Sequence, residues 1–255
     1  MILLRSLAYM MVFYVVTALF MVLGIWLLLA PRSWAMAGLR AHARTALWLL
    51  RWIVGTSVEI RGLEHLPEGP FLIASKHQSA WDTFALVPIF KDPALVMKAE
   101  LMLIPFYGWF SRKFGMIPVQ REAGSSALRG MLQASVARIE SGRQILVFPE
   151  GTRRAPYDEP DYKPGILMLY GKLGVPCVPV ALNSGLFWPR RSIMRYPGTI
   201  IVELLEPIPA GLKRTAFANR LEAAIETATT RLVDEALMTS NPMQIVKPES
   251  EQTGT

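Results

Sequence analysis

A chain of 255 residues with just over half of them apolar has room for one sizeable α/β domain and a greasy attachment segment. Its single cysteine, Cys177, excludes an intramolecular disulfide and a cysteine-rich metal site, and suits a reducing compartment. A net charge of +7 fits an anionic lipid surface or a phosphorylated substrate; no nucleic acid is expected, because the arginines form no long run and no zinc-finger or similar signature occurs.

From Ser6 to Ala30 no side chain is charged. A helix of that length runs about 37 Å, enough to cross the ~30 Å hydrocarbon core of a bilayer. It is too long for the apolar core of a cleaved signal peptide, and no small-residue cleavage pattern follows. Pro31 breaks the helix, and a second one is predicted from Trp34 to Val54. Its Arg40, Arg44 and Arg51 fall within roughly 40° of one another, while Trp34, Trp48 and Trp52 are of the type that favours the headgroup zone. Such a helix can lie in the interface with its arginines on lipid phosphates; a core helix with a solvated stripe is the alternative. No acidic residue precedes Glu59, which suits an anionic bilayer surface. Whether the first helix spans the bilayer or forms a hairpin dipped into one leaflet stays open.

From Val58 onward short β-type runs alternate with helical ones. Predicted strands are Val58–Arg61, Phe71–Ser75, Ala94–Met97, Ile117–Val119, Ile145–Phe148, Val178–Leu182 and Thr199–Leu204. Predicted helices are Ala80–Phe90, Leu101–Phe114, Ser126–Glu140, Gly165–Leu173 and Ala216–Met238. The pattern implies an α/β fold with a mixed central sheet flanked by helices. Residues 1–56 are then an anchor and interfacial helix, 57–240 the α/β domain, and 241–255 a polar, frayed tail.

Three constellations carry chemistry. His77 and Asp82 flank a Gln-Ser-Ala-Trp stretch after an apolar run. In a continuous helix, residues five apart point about 140° away from each other, so the pair meets only if His77 precedes the helix. Ser79 as N-cap and Asp82 in the first turn would arrange that. A carboxylate holding one imidazole nitrogen leaves the other free to take a proton from a hydroxyl. The spacing alone is weak evidence. Phe148-Pro149-Glu150-Gly151-Thr152-Arg153 follows a second apolar run and offers turn N–H groups and a guanidinium fork for phosphate. Gly115-Met116-Ile117-Pro118-Val119-Gln120-Arg121 places another cation after a short strand. Each of the last two, alone, reads better as an ordinary strand end with a solvated arginine.

Together and in this order the three motifs resemble the glycerolipid acyltransferase family, specifically the bacterial 1-acylglycerol-3-phosphate acyltransferases. The family's His-x4-Asp is matched by His77 and Asp82; its Gly-x-Ile-x-Val-x-Arg by Gly115, Ile117, Val119 and Arg121; its Phe-Pro-Glu-Gly-Thr-Arg by Phe148–Arg153; and its Val-Pro-Val strand by Val178–Val180. The resemblance implies His77 as base supported by Asp82, acceptor phosphate bound by Arg121, Arg153 and Lys98, and an acceptor-binding or structural role for Glu150, Gly151 and Thr152. It implies no metal and no cofactor: the acyl donor is a thioester, acyl-CoA or acyl carrier protein, and the acceptor a membrane lipid. A bacterial-type inner membrane, with the domain on the cytoplasmic side, follows from the same resemblance and from a lean in the positive charges.

Rival readings are a lipid hydrolase, a non-enzymatic protein docking on anionic lipid, and the same chemistry on another lyso-lipid or glycerol-3-phosphate. No Gly-x-Ser-x-Gly elbow occurs, which weighs against the first. Met102, Ile104, Phe106 and Trp109 are expected to be core, with an acyl-chain tunnel as the alternative.

Overall fold

The computed structural model of the chain describes residues 1–120 and 124–239. Arg121 and the tail 241–255 therefore lie outside the described residues.

Two helices, α1 (Ile2–Leu23) and α2 (Arg32–Ile53), open the chain as a hairpin joined through a 3-10 turn, Ile25–Leu28. Seven strands follow: β1 Thr56–Arg61, β2 Leu72–Ser75, β3 Pro93–Lys98, β4 Ile117–Val119, β5 Gln144–Val147, β6 Cys177–Leu182 and β7 Gly198–Leu204. The intervening helices are α3 (Asp82–Ala85), α4 (Tyr107–Phe114), α5 (Gly124–Glu140), α6 (Pro164–Leu173), α7 (Ser184–Phe187) and α8 (Arg214–Thr239).

The strands form one sheet in the order β1-β7-β6-β2-β5-β3-β4. All neighbours are parallel except β6 and β7, so the sheet is mixed, as expected. Both faces of the centre are covered, which is why β2, β5 and β6 are buried throughout and read as nearly unbroken apolar runs. Residues alternate between two cores: Ile73, Leu146 and Val178 face one with α2, while Leu72, Ile145 and Cys177 face the other with α6 and α8. Each such aliphatic side chain contributes about 1.5–3 kcal/mol by leaving water. Leu146→Ala, at a fully buried position, costs about 2–5 kcal/mol.

Prolines account for two differences from the sequence expectation. The helix expected over Ala80–Phe90 is cut to α3 and a 3-10 turn, Val87–Ile89, since Pro88 has no N–H to continue the ladder. The helix expected over Leu101–Phe114 is a 3-10 turn, Ala99–Leu103, then a break at Pro105 and Phe106 before α4. Of the four residues expected to be core, Met102 is buried, Phe106 is half-buried, and Ile104 and Trp109 are exposed, as is neighbouring Leu103.

The helix α1 is long and apolar enough to cross a membrane, and most of its surface is exposed. Its inner seam carries Ser6, Tyr9, Phe13, Thr17 and Phe20, at helical spacing. Ser6 bonds the backbone of Arg195, Tyr9 donates to the Ala46 carbonyl, and Thr17 bonds His42. Leu3, Leu4, Met11, Val15, Leu19, Val22 and Leu23 face outward. A greasy face of that extent indicates membrane association. In α2 the exposed side mixes Trp34, Trp48 and Trp52 with Arg44 and Arg51. Arg40 differs from the expected lipid-facing stripe: it is half-buried and donates to the Lys91 carbonyl.

Candidate active site

Parallel strands bring their carboxyl ends to one edge of a sheet, and clefts of α/β folds open there. At this edge β2 runs into Lys76 and His77, β5 into Phe148–Arg153, β3 ends at Lys98, and β6 leads into Asn183 and Ser184. Four remote segments thus converge.

The chain leaves β2 without entering a helix, so His77 can turn back on Asp82. Ser79 Oγ accepts from the Trp81 N–H at 3.1 Å, and Asp82 Oδ2 accepts from the Ser79 N–H at 2.9 Å. The second is half of a capping box; the first closes a Ser turn two residues on, in place of the expected bond to the Asp82 N–H. Regular helix begins at Asp82, later than a cap at Ser79 would suggest. Asp82 is fully buried, and its Oδ2 also accepts from the Gln78 N–H at 2.8 Å and lies 2.9 Å from His77 Nδ1. An oxygen already accepting two N–H groups is an acceptor, so Nδ1 donates and Nε2 carries the lone pair. The imidazole stacks on Phe148 with centroids 3.9 Å apart. Ring and tautomer are both fixed.

Three partners of this pair escaped the sequence reading. Ser184 Oγ donates to Asp82 Oδ1 at 2.6 Å. Gln78 Oε1 accepts from the Gly185 N–H at 2.9 Å, and a side chain at 185 would press on Gln78 and Pro156. Phe148 stands in its motif with no role that its sequence pattern assigns. The only available hint for Ser184 was its place just past an apolar strand.

The turn after β5 is held from inside. Gly151 takes φ 65, a left-handed conformation that suits glycine, and its N–H bonds the Phe148 carbonyl. Glu150 is 1% exposed, with Oε1 2.9 Å from Lys76 Nζ, itself 2% exposed. Lys76 Nζ also meets both oxygens of Glu226 on α8, at 3.0 and 2.8 Å, and Tyr162 donates to Glu226 at 2.9 Å. Burial pushes the Glu150 carboxyl above the usual carboxylate range, against the pull of Lys76. Burial also raises the Tyr162 phenol, and Glu226 adds to it. The Glu150 side chain is turned into the protein. Gly151 is half-exposed, and Thr152 and Arg153 are at the surface. The backbone of the turn is tied to the first motif by the Arg154 N–H on the His77 carbonyl at 2.8 Å.

Lys98 is exposed, 3.5 Å from Glu100, and pairs in register with Val119 of β4. Two strand spacings separate β3 from β2, about 10 Å. Arg121 follows β4 by two residues and is not among the described residues.

Residues 57–183 match the acyltransferase family model. Over 159 residues the chain is 38% identical to a 1-acyl-sn-glycerol-3-phosphate acyltransferase of Pseudomonas aeruginosa, covering 62% of each chain. It thus spans less than two thirds of that relative's length. It is also 27% identical over 202 residues to a lyso-ornithine lipid O-acyltransferase of the same organism, covering 72% of this chain and 77% of that one. The crystal structure of a 1-acyl-sn-glycerophosphate acyltransferase from Thermotoga maritima superposes with a TM-score of 0.76 at 22% identity, covering 91% of this chain and 99% of the other, and so shares the fold. With its family domain lying across the His77, Lys98 and Phe148–Arg153 edge of the sheet, the chain belongs to the acyltransferase family.

Proposed function

We propose that the protein moves a fatty acyl group from a thioester, acyl-CoA or acyl carrier protein, to the free hydroxyl of 1-acylglycerol-3-phosphate, giving phosphatidic acid. The observation that carries this reading is a single imidazole with one nitrogen bound to a buried carboxylate, on the same sheet edge as the Phe148–Arg153 turn.

His77 Nε2 takes the hydroxyl proton as the oxygen attacks the thioester carbonyl. The C–O bond forms, the C–S bond breaks, and the imidazolium returns the proton to the departing thiolate. Asp82 supports the charge that appears on the ring. Because a thioester is already activated, no covalent intermediate on the enzyme is needed. Arg153, Lys98 and Arg121 hold the acceptor phosphate, which sets the distance from phosphate to hydroxyl and lets orientation supply much of the rate. The protein works at a bacterial inner membrane with its domain on the cytoplasmic side, its helical hairpin resting in one leaflet beside the acceptor. The exposed face of α1 and the Trp and Arg side of α2 support that placement.

A second reading keeps the chemistry and changes the acceptor to a lyso-aminolipid. The 27% identity to a lyso-ornithine lipid O-acyltransferase, over more of the chain than the phosphatidate-forming relative, favours keeping it in view. One experiment separates the two. Purified protein in detergent receives one labelled acyl-CoA and a panel of lyso-lipid acceptors, beside His77→Ala. The proposal expects phosphatidic acid as the main product and a fall of about 10²–10⁴ in the variant. Preference for an amino-acid lipid transfers the assignment to the second reading, and full activity in the variant removes the base.

A further inference from the structure

We propose that residues 103–109 form an apolar lip that inserts into an anionic lipid bilayer, separately from the helical hairpin. Leu103 is 79% exposed, Ile104 49% and Trp109 46%. Soluble surfaces scatter such side chains singly, whereas these cluster between the end of the Ala99–Leu103 turn and the first turn of α4.

The lip is built rather than loose. Phe106 takes φ 61, a conformation that a bulky residue rarely adopts. Gly108 is buried where a Cβ would stand 2.0 Å from the Met102 carbonyl oxygen, and its N–H bonds the Ile104 carbonyl at 2.8 Å. Met102 and Phe110 point inward and the Phe106 and Trp109 rings lie 5.0 Å apart. The strain therefore holds Leu103 and Ile104 outward.

Position and charge name the occupant. The helix α4 packs against the 3-10 turn Ile25–Leu28 and against α2. That end of the hairpin exposes Leu23, Ile25, Trp26 and Leu29, so hairpin tip and lip continue one apolar surface from opposite parts of the sequence. Lys98, Arg112 and Lys113 flank the lip, with Glu100 the nearby acid, in an ion pair with Lys98. Apolar side chains edged by cations fit a bilayer with anionic headgroups. Under the function proposed above, insertion would bring Lys98 to headgroup depth, where an acceptor phosphate lies; the lip itself does not rest on that reading.

The test uses the full chain carrying an environment-sensitive fluorophore on Leu103→Cys. Native Cys177 is fully buried and does not compete for label. Labels on Leu29→Cys and Lys172→Cys serve as the hairpin and solvent references. With phosphatidylethanolamine–phosphatidylglycerol vesicles, the 103 label should become several-fold less accessible to aqueous iodide and be quenched by lipids carrying nitroxides on their chains, as at 29 and unlike 172. A 103 label that stays as accessible as 172 while 29 is protected overturns the proposal. Protection without vesicles, on raising protein concentration or on adding a monomeric short-chain lipid, overturns it too, by naming a second copy or a single bound chain as the occupant. As a second arm, Leu103→Asp with Ile104→Asp changes only exposed side chains and should weaken vesicle partition about tenfold or more. Unchanged partition also sinks the idea.

Discussion

Ser184 Oγ and Asp82 Oδ1 lie 2.6 Å apart, joining residues 102 positions apart in the chain. That bond occupies one carboxylate oxygen so that the other is left for His77 and two backbone N–H groups. The helix carrying Ser184 also packs its Phe187 into the core beside Trp188, which meets Tyr9 of α1 edge-on. The support of the His77 imidazole is therefore continuous with the packing of the apolar anchor.

Replacing Ser184 with alanine leaves Asp82 Oδ1 buried without its donor. The expected stability loss is about 1–3 kcal/mol. Under the proposed function, turnover should fall about tenfold with little change in acceptor KM, because the carboxylate acts through His77. Ser184→Thr, which keeps the hydroxyl, should recover most of the rate. A KM effect in place of a kcat effect in steady-state assays would contradict this role.

Lys76 sits between two carboxylates, Glu150 and Glu226, in a space nearly closed to water. Lys76→Met leaves both facing each other and should cost about 3–5 kcal/mol at neutral pH. The sign with pH follows from Glu150, whose folded pKa burial already raises and which loses the opposing lysine in the variant. A raised carboxyl pKa supports the fold below its unfolded value of about 4.3 and loses that support as pH rises through the folded one. The gap between wild type and variant in urea unfolding should therefore shrink on acidification. Glu226→Gln, at a partly exposed acid, should be milder.

The Arg153 guanidinium is at the surface, while its carbonyl accepts from Arg190 Nη1 at 2.5 Å. Arg153→Ala should raise the acceptor KM about tenfold or more and leave donor KM within about twofold, the loss of one charge-assisted phosphate contact. Arg190→Ala removes the backbone tie and a 4.0 Å ion pair with Asp158, and should act in the same direction more weakly. Equal effects on donor and acceptor KM would place the cation elsewhere.

The strands were legible because each buried run is short, apolar and rich in β-branched residues: all seven lie within two residues of their predicted bounds. The helices at Pro88 and Pro105 were read too long, since apolar periodicity continues past a proline that the backbone cannot follow. His77, Asp82 and the Phe148–Arg153 turn could be picked out because local spacing and motif order mark them. Ser184 and Glu226 could not. Their contacts exist only after β6 and α8 are laid against β2, and no pattern along one chain carries that information. The lip at Leu103 escaped for the opposite reason: its apolar residues look like core until exposure is known.

The anchor hairpin is also tied to the domain by charge, and this tie should set its response to acid. Arg32, at the start of α2, grips Asp92 with two bonds of 2.9 and 2.5 Å, and Arg143 Nε lies 3.3 Å from the same carboxylate. Arg143 in turn donates to the carbonyls of Pro93, Phe114 and Gly115, fixing the approach to β3 and β4. Burial lowers the Arg143 pKa to about 10, with Asp92 opposing the shift. For Asp92, burial pushes upward but Arg32, Arg143 and Arg40 outweigh it, leaving the carboxyl below its ordinary range. A lowered carboxylate pKa means the unfolded chain binds the proton first. The stabilisation is thus complete above about pH 4 and is lost as pH falls through the folded pKa. Asp92→Asn should cost about 1–3 kcal/mol at pH 7, toward the lower end because Arg32 is 39% exposed and its share is screened. Below the wild-type carboxyl's own titration the two proteins should unfold alike, since both then carry a neutral side chain at 92. Thermal unfolding of both across the acid range reads this directly, and a gap as wide in acid as at neutrality would show that Asp92 acts through shape rather than charge.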